Sequence, residues 1–346
     1  MTQLALHPRR GIHAPIADRA KRAPGSVRRT STIDSTWSQL VPGRVDVDAR
    51  ARDLRTGPDG SGQVLGEFRM RAVVDYVDRA RLLEIDSDPA VPALQSLLGL
   101  SARSGFRAEA VQRLPDEAAA KSLLNLLLDD LPGAMLVSGY AGGRLADDRG
   151  MSPQQRAADA RRVNEALSSQ ADLCSGWRSG GTIMIDIDRG DAPPMVTGPP
   201  ASGFRLDDDP VGWHQTEPLA AHSMRRLRRL DLIPGEPQPV DVYFRDSHMS
   251  ADGEETSIHE YSVTGAVREG LVVALEAVPR ALPWVECPHA AASATWVVGN
   301  SVTGLRPRVR AEFTGIDTCT HLNDVLRSLE DIEVLGPMLG PAPDRP

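Results

Sequence analysis

The chain is poor in cysteine, in aromatic residues and in long apolar runs, and each shortage closes off a class of protein. Its three cysteines, Cys174, Cys287 and Cys319, are too few and too odd in number for a disulfide framework. Their thiols are expected to be reduced, in a cytoplasmic setting, and free for ligation or catalysis. No apolar stretch reaches the roughly 18–20 residues of a membrane span. Residues 1–24 lack the continuous apolar segment of a secretory signal. Positive charge is in deficit, with 39 Lys and Arg against 47 Asp and Glu, and the net charge of −8 argues against a dedicated nucleic-acid binder. There is no Gly-x-Ser-x-Gly elbow, His-Glu-x-x-His pair, Walker loop or dinucleotide fingerprint. What remains is an ordinary globular composition, 41% apolar and 25% charged, enough for two domains or one large one.

A pattern of anchors recurs along the chain. Gly25-Ser-Val-Arg-Arg29 is answered by His222-Ser-Met-Arg-Arg226, and Asp34 by Asp231. An alternating segment from Val45 to Arg52 is answered from Val240 to Arg245, and period-two alternation reads as strand. Gly66–Asp75 pairs in the same way with His259–Arg268, and Arg81–Asp86 with Leu271–Glu276. Asp88-Pro89 and Cys287-Pro288 each open a short apolar helix, since proline suits the first helical position. Gly105-Phe-Arg107 and Gly304-Leu-Arg306 precede the last helices, Asp116–Leu131 and Cys319–Leu329. The expected fold is α+β, made of two related halves, each a small antiparallel sheet packed with two or more helices.

The expected divisions are a flexible basic arm (1–24), a first, degenerate copy (25–134), a helical and loop insertion (135–215), a second copy (216–335) and a disordered tail (336–346). Within the insertion, Pro153–Leu173 reads as helix and Thr182–Ile187 as strand.

Chemically capable side chains sit almost entirely in the second copy. His222, His259, Cys287, Cys319 and His321 occupy anchors where the first copy has Gly25, Gly66 and Asp88, with neither Cys nor His in 115–131. Cys319 and His321 fall where a loop becomes an amphipathic helix, with Leu322, Val325, Leu326 and Leu329 on its buried face and Thr318 or Thr320 as its cap. The helix dipole there favours a thiolate. Two readings stay open. In one, Cys287, Cys319, His321 and either His259 or Cys174 hold zinc or iron. In the other, Cys319 is a nucleophile with His259 or His321 as its base. The plainer alternative makes Cys319 a small buried hydrophobe. Arg225 and Arg226, with His222, are candidates for binding an anionic substrate. Trp213, Trp284 and Trp296 are expected in the core.

The anchors of the second copy resemble a bacterial domain-of-unknown-function family, the one numbered 2889. The residues that carry the likeness are His222 with Arg225, His259-Glu-Tyr261, Cys287-Pro288 and Thr318-Cys-Thr-His-Leu322, with Cys174 as a further match. Thr318 and Tyr261 stand where the family pattern has Gly and Met. The resemblance implies a shared Cys/His site and no particular activity. At fold level the order of strands, Cys-helix and Cys-helix is similar to the NifU-type iron–sulfur scaffold.

The expectation is therefore a metal-assisted catabolic enzyme of hydrolase, hydratase or lyase type acting on a small organic or acyl substrate. The alternatives are a metal or iron–sulfur carrier and a non-catalytic accessory protein. A homo-oligomer or a protein partner stays open; nucleic acid and membrane are not expected as partners.

Overall fold

Alternating and β-branched segments on either side of the central insertion fold into two four-stranded meanders, which fuse into one antiparallel sheet. The computed structural model describes residues 7–152, 154–158 and 170–340. The first meander is β1 (Val27–Trp37), β2 (Arg44–Thr56), β3 (Gly62–Asp75) and β4 (Arg81–Asp88). The second is β5 (Ser223–Leu232), β6 (Gln238–Met249), β7 (Glu255–Arg268) and β8 (Leu271–Ala281). The strand order is β4-β3-β2-β1-β5-β6-β7-β8, so β1 and β5 form the central seam. The α+β expectation holds. The two expected sheets are instead one sheet of eight strands.

The seam is reciprocal. Arg28 lies opposite Asp231 and Asp34 opposite Arg225. Arg28 donates to both Asp231 oxygens at 2.7 and 2.8 Å, and Arg225 to both Asp34 oxygens at 2.7 and 2.6 Å. Irregularities in pairing fall at Asp53/Leu54 and Val73/Val74 in one meander and at Asp246/Ser247, Glu260/Tyr261 and Ala266/Val267 in the other.

After each fourth strand the chain passes through a 3₁₀ segment and a left-handed glycine into a helix. Gly105 (φ 89°) precedes α1 (Phe106–Arg113). Gly304 (φ 77°) precedes α4 (Leu305–Glu312). Positive φ is the reason for glycine there. Next come α2 (Leu123–Asp148) and α5 (Thr320–Ser328), which pack on each other over one face of the sheet. Ser122 caps α2 by accepting from the Asn125 N–H, whereas Cys319 occupies the cap of α5 with no side-chain bond to the backbone. Leu322, Val325, Leu326 and Leu329 of α5 are buried in the core of the second half, as read from their spacing.

Several expectations need correction. Residues 7–24 are not a free arm. Gly11 donates to Pro283 O and Ala14 to Arg280 O, and Asp18 is buried against Arg229 on the sheet face opposite the helices. The boundary at 134/135 falls inside α2, which runs on to Asp148. Thr182–Asp188 is a helix (α3) rather than a strand, an ambiguity that short apolar runs carry intrinsically. Of the expected 153–173 helix, residues 154–158 are helical, and 153 and 159–169 lie outside the described residues. Gly336–Met338 form a 3₁₀ turn and Gly340 bonds to Gly25 O, so the start of the tail is ordered; 341–346 lie outside the described residues. Asp88-Pro89 ends β4, and its 3₁₀ segment begins at Pro92, so it does not match Cys287-Pro288. Among the described residues no helix is long and apolar enough to cross a membrane.

Candidate metal centre

Three neighbouring strands set a row of side chains under the start of α5. Register places Arg226 of β5 opposite Asp246 of β6, and Asp246 opposite His259 of β7. Arg226 donates to both Asp246 oxygens, Nε to Oδ1 at 2.8 Å and Nη2 to Oδ2 at 3.0 Å. Its third nitrogen reaches Asp324 of α5. The first turn of α5 brings His321 over the row, where its ring stacks on that of His259 with centroids 3.6 Å apart and planes 17° apart.

The two imidazoles converge on one oxygen. Nδ1 of His259 lies 3.3 Å, and Nε2 of His321 3.7 Å, from Oδ2 of Asp246. Both nitrogens are buried and neither has a hydrogen-bond partner. Buried polar atoms almost always have one, so two orphans aimed at one carboxylate call for an explanation. Among the described residues this is the one group of three or more His, Cys, Asp or Glu whose ligating atoms all lie within 4.8 Å of one another. Asp246 is fully buried, while the side chains of His259 and His321 each keep 11% exposure.

The electrostatics suit a cation. Burial, reinforced by His259, pushes His321 down to about 3, leaving a neutral ring with a free lone pair. Burial alone would raise Asp246, but Arg226 and the two imidazoles outweigh it and hold the carboxyl well below the usual carboxylate range. Asp324 is likewise held low against burial by Arg327, Arg226 and Arg107. One carboxylate and two imidazoles form a donor set suited to Zn²⁺ or Fe²⁺. His321 Nδ1 faces away, 3.8 Å from Cys319 Sγ and 3.4 Å from Thr320 Oγ1, contacts that fix the orientation of the ring.

The expected site residues divide. His259 and His321 come together, but with Asp246 rather than with a cysteine. Cys174, Cys287 and Cys319 are buried free thiols, and Cys319 lies against His321. Burial raises all three, Cys174 to about 12, so the expected thiolate at the α5 terminus does not form; desolvation outweighs the dipole. The cap of α5 is Cys319 itself, not Thr318 or Thr320. Arg225 lies on the opposite sheet face, bound to Asp34 and Glu217 O, and Arg226 is taken up by Asp246 and Asp324, so neither is free for a substrate. His222 sits before β5 with Nδ1 3.6 Å from Asp148. His289 is exposed and pairs with Asp317. Trp213 and Trp284 are core residues as expected, whereas Trp296 is 46% exposed. Sequence reasoning missed Asp246. Its signal is its place opposite Arg226 and His259, which requires the strand register.

No curated protein and no solved structure matches the chain. Residues 224–335, from β5 to the end of the helical cover, match one family model. That stretch, which includes the whole Asp246–His259–His321 group, is similar to the family described as Protein of unknown function (DUF2889).

Proposed function

We propose that the C-terminal half holds a divalent metal ion, zinc or iron, on Asp246 Oδ2, His259 Nδ1 and His321 Nε2, and that the chain is a metal-assisted enzyme of hydrolase, hydratase or lyase type acting on a small organic or acyl substrate. The observation that carries this is the pair of buried, partnerless imidazole nitrogens converging on one ionised carboxylate oxygen. A metal so held supplies Lewis-acid polarisation and water activation. Arg226 is a positioning residue, fixing the Asp246 carboxylate through two bonds. A carrier would favour ligands at an open surface, whereas here the carboxylate is fully buried. The nucleophile reading is weaker, because burial keeps the Cys319 thiol protonated.

Metal analysis of freshly purified protein tests the reading. This centre should contribute about one ion per chain in the parent, and that ion should be lost in His259→Ala. Turnover of small esters, amides or enoyl compounds should vanish on chelation and return with the metal. Unchanged metal content in a folded His259→Ala protein would remove the site.

We also infer that the two halves descend from one duplicated unit. The mirrored strand order, two pairing irregularities at matching places and the reciprocal Arg–Asp pairs support it. An experimental structure with those irregularities at different places in the two meanders would reject it.

A further inference from the structure

All three cysteines of the chain gather at one place, although they come from an insertion, a segment after β8 and the cap of α5. Ser175 links the three segments. Its N–H donates to Thr318 O at 2.9 Å and its hydroxyl to Glu286 O, so the residue after Cys174 is bonded to the residues just before Cys319 and Cys287. A Cβ on Gly176 would stand 3.0 Å from Cys287 Sγ, so only glycine lets this turn approach so closely. The three sulfurs are near enough to act electrostatically on one another, but they do not all lie within 4.8 Å of one another.

Hydrogen-bond donors surround the sulfurs, although burial keeps all three as thiols. Peptide N–H groups of Gly176, Trp177 and Thr320 face the Cys174 sulfur, and those of His321 and Leu322 face Cys319. The hydroxyl of Tyr261 on β7 is fully buried, lies against Cys319 with the other two sulfurs near it, and has no satisfactory hydrogen-bond partner. Hydrogen-bond donors aimed at sulfur stabilise its anion and tune metal–thiolate centres.

We propose that Cys174, Cys287 and Cys319 are the ligands of a second, thiophilic cation of the zinc class, distinct from the Asp246–His259–His321 centre, with Tyr261 at its fourth side. The ion replaces up to three thiol protons, which pass to solvent. A tetrahedral zinc about 2.3 Å from each sulfur needs sulfurs about 3.8 Å apart, so binding draws the thiols inward. The consequence is a clamp that fastens the 174–177 turn to the C-terminal half. Cys319, 3.8 Å from His321 Nδ1, is the group through which the two centres touch.

The test is a Cd²⁺ titration of the reduced, metal-stripped full-length protein, read by the thiolate-to-cadmium absorption band. The band should saturate at one ion per chain, fall about five-fold or more in Cys174→Ser and Cys287→Ser, and persist in His259→Ala. Its persistence in His259→Ala separates this site from the first. A parent protein with no band, or a band unchanged in both folded serine variants, overturns the proposal. Where the serine variants do not fold, proton release by the parent decides. About three protons per bound Cd²⁺ support the site, and none overturns it.

Discussion

His259 and His321 lie face to face, 3.6 Å apart, and turn different ring nitrogens, Nδ1 and Nε2, toward the same oxygen of Asp246. The first half lacks this arrangement. There Asp53 pairs with Arg29 as Asp246 does with Arg226, but Gly66 stands opposite it, and a Cβ on Gly66 would meet Leu123 at 3.7 Å. An apolar leucine occupies the position where the second half has stacked imidazoles.

Removing Arg226 should be costly in stability. It is buried between Asp246 and Asp324, and its loss leaves the ionised Asp246 without a guanidinium partner while Asp324 keeps Arg327 and Arg107. Breaking such a pair costs about 3–5 kcal/mol. Urea denaturation of Arg226→Ala should show a loss of that size, and a loss under about 1 kcal/mol would contradict the network.

Gly133→Ala should also destabilise. Gly133 lies in α2, where it passes directly over the Arg226–Asp324 pair, and an added Cβ would collide with both side chains. Overpacking of this kind costs about 1–3 kcal/mol. Gly336→Ala, which meets nothing within 4 Å, is the control and should change stability little. Equal melting temperatures for the two variants would refute the close approach.

Acid should weaken the fold through two buried histidines outside the centre. Burial, then Arg52 and Arg205, pushes His214 down to about 3, and its two ring nitrogens lie 2.8 and 2.9 Å from the hydroxyls of Thr30 and Thr32. Burial, then Arg144 and His222, pushes His248 down to about 4. Both are neutral when folded and take up a proton more readily when unfolded. Their contribution is therefore complete above pH about 6.5 and is lost as pH falls toward 3–4, at up to about 1.4 kcal/mol per pH unit for each. Stability measured from pH 7 to pH 4 should fall less steeply in His214→Gln than in the parent. Parallel curves would show that His214 is not held neutral.

Much of the scaffold was legible because strands announce themselves by period two. The anchors Arg28, Arg225, Asp34 and Asp231 proved to be the reciprocal seam. The same periodicity hid a slip. The reading set Val45 against Val240, whereas the pairing of Arg29 with Asp53 and of Arg226 with Asp246 sets Val47 there. A shift by two keeps every side chain on its face, so the pattern cannot detect it. Asp246 stayed hidden for a related reason. An aspartate inside a strand looks like any salt-bridge partner until register places a histidine beside it. Thr182–Asp188 was misread because Thr-Ile-Met-Ile satisfies strand and helix alike, and residues 7–24 because edge pairing along β8 and the burial of Asp18 leave no composition signal.

The most direct measurement is a crystal structure of zinc-loaded protein with anomalous scattering recorded at the zinc edge. The account predicts a peak about 2.0–2.2 Å from His259 Nδ1, His321 Nε2 and Asp246 Oδ2. Density showing His259 Nδ1 hydrogen-bonded directly to Asp246, with no anomalous peak between the imidazoles and the carboxylate, would contradict it.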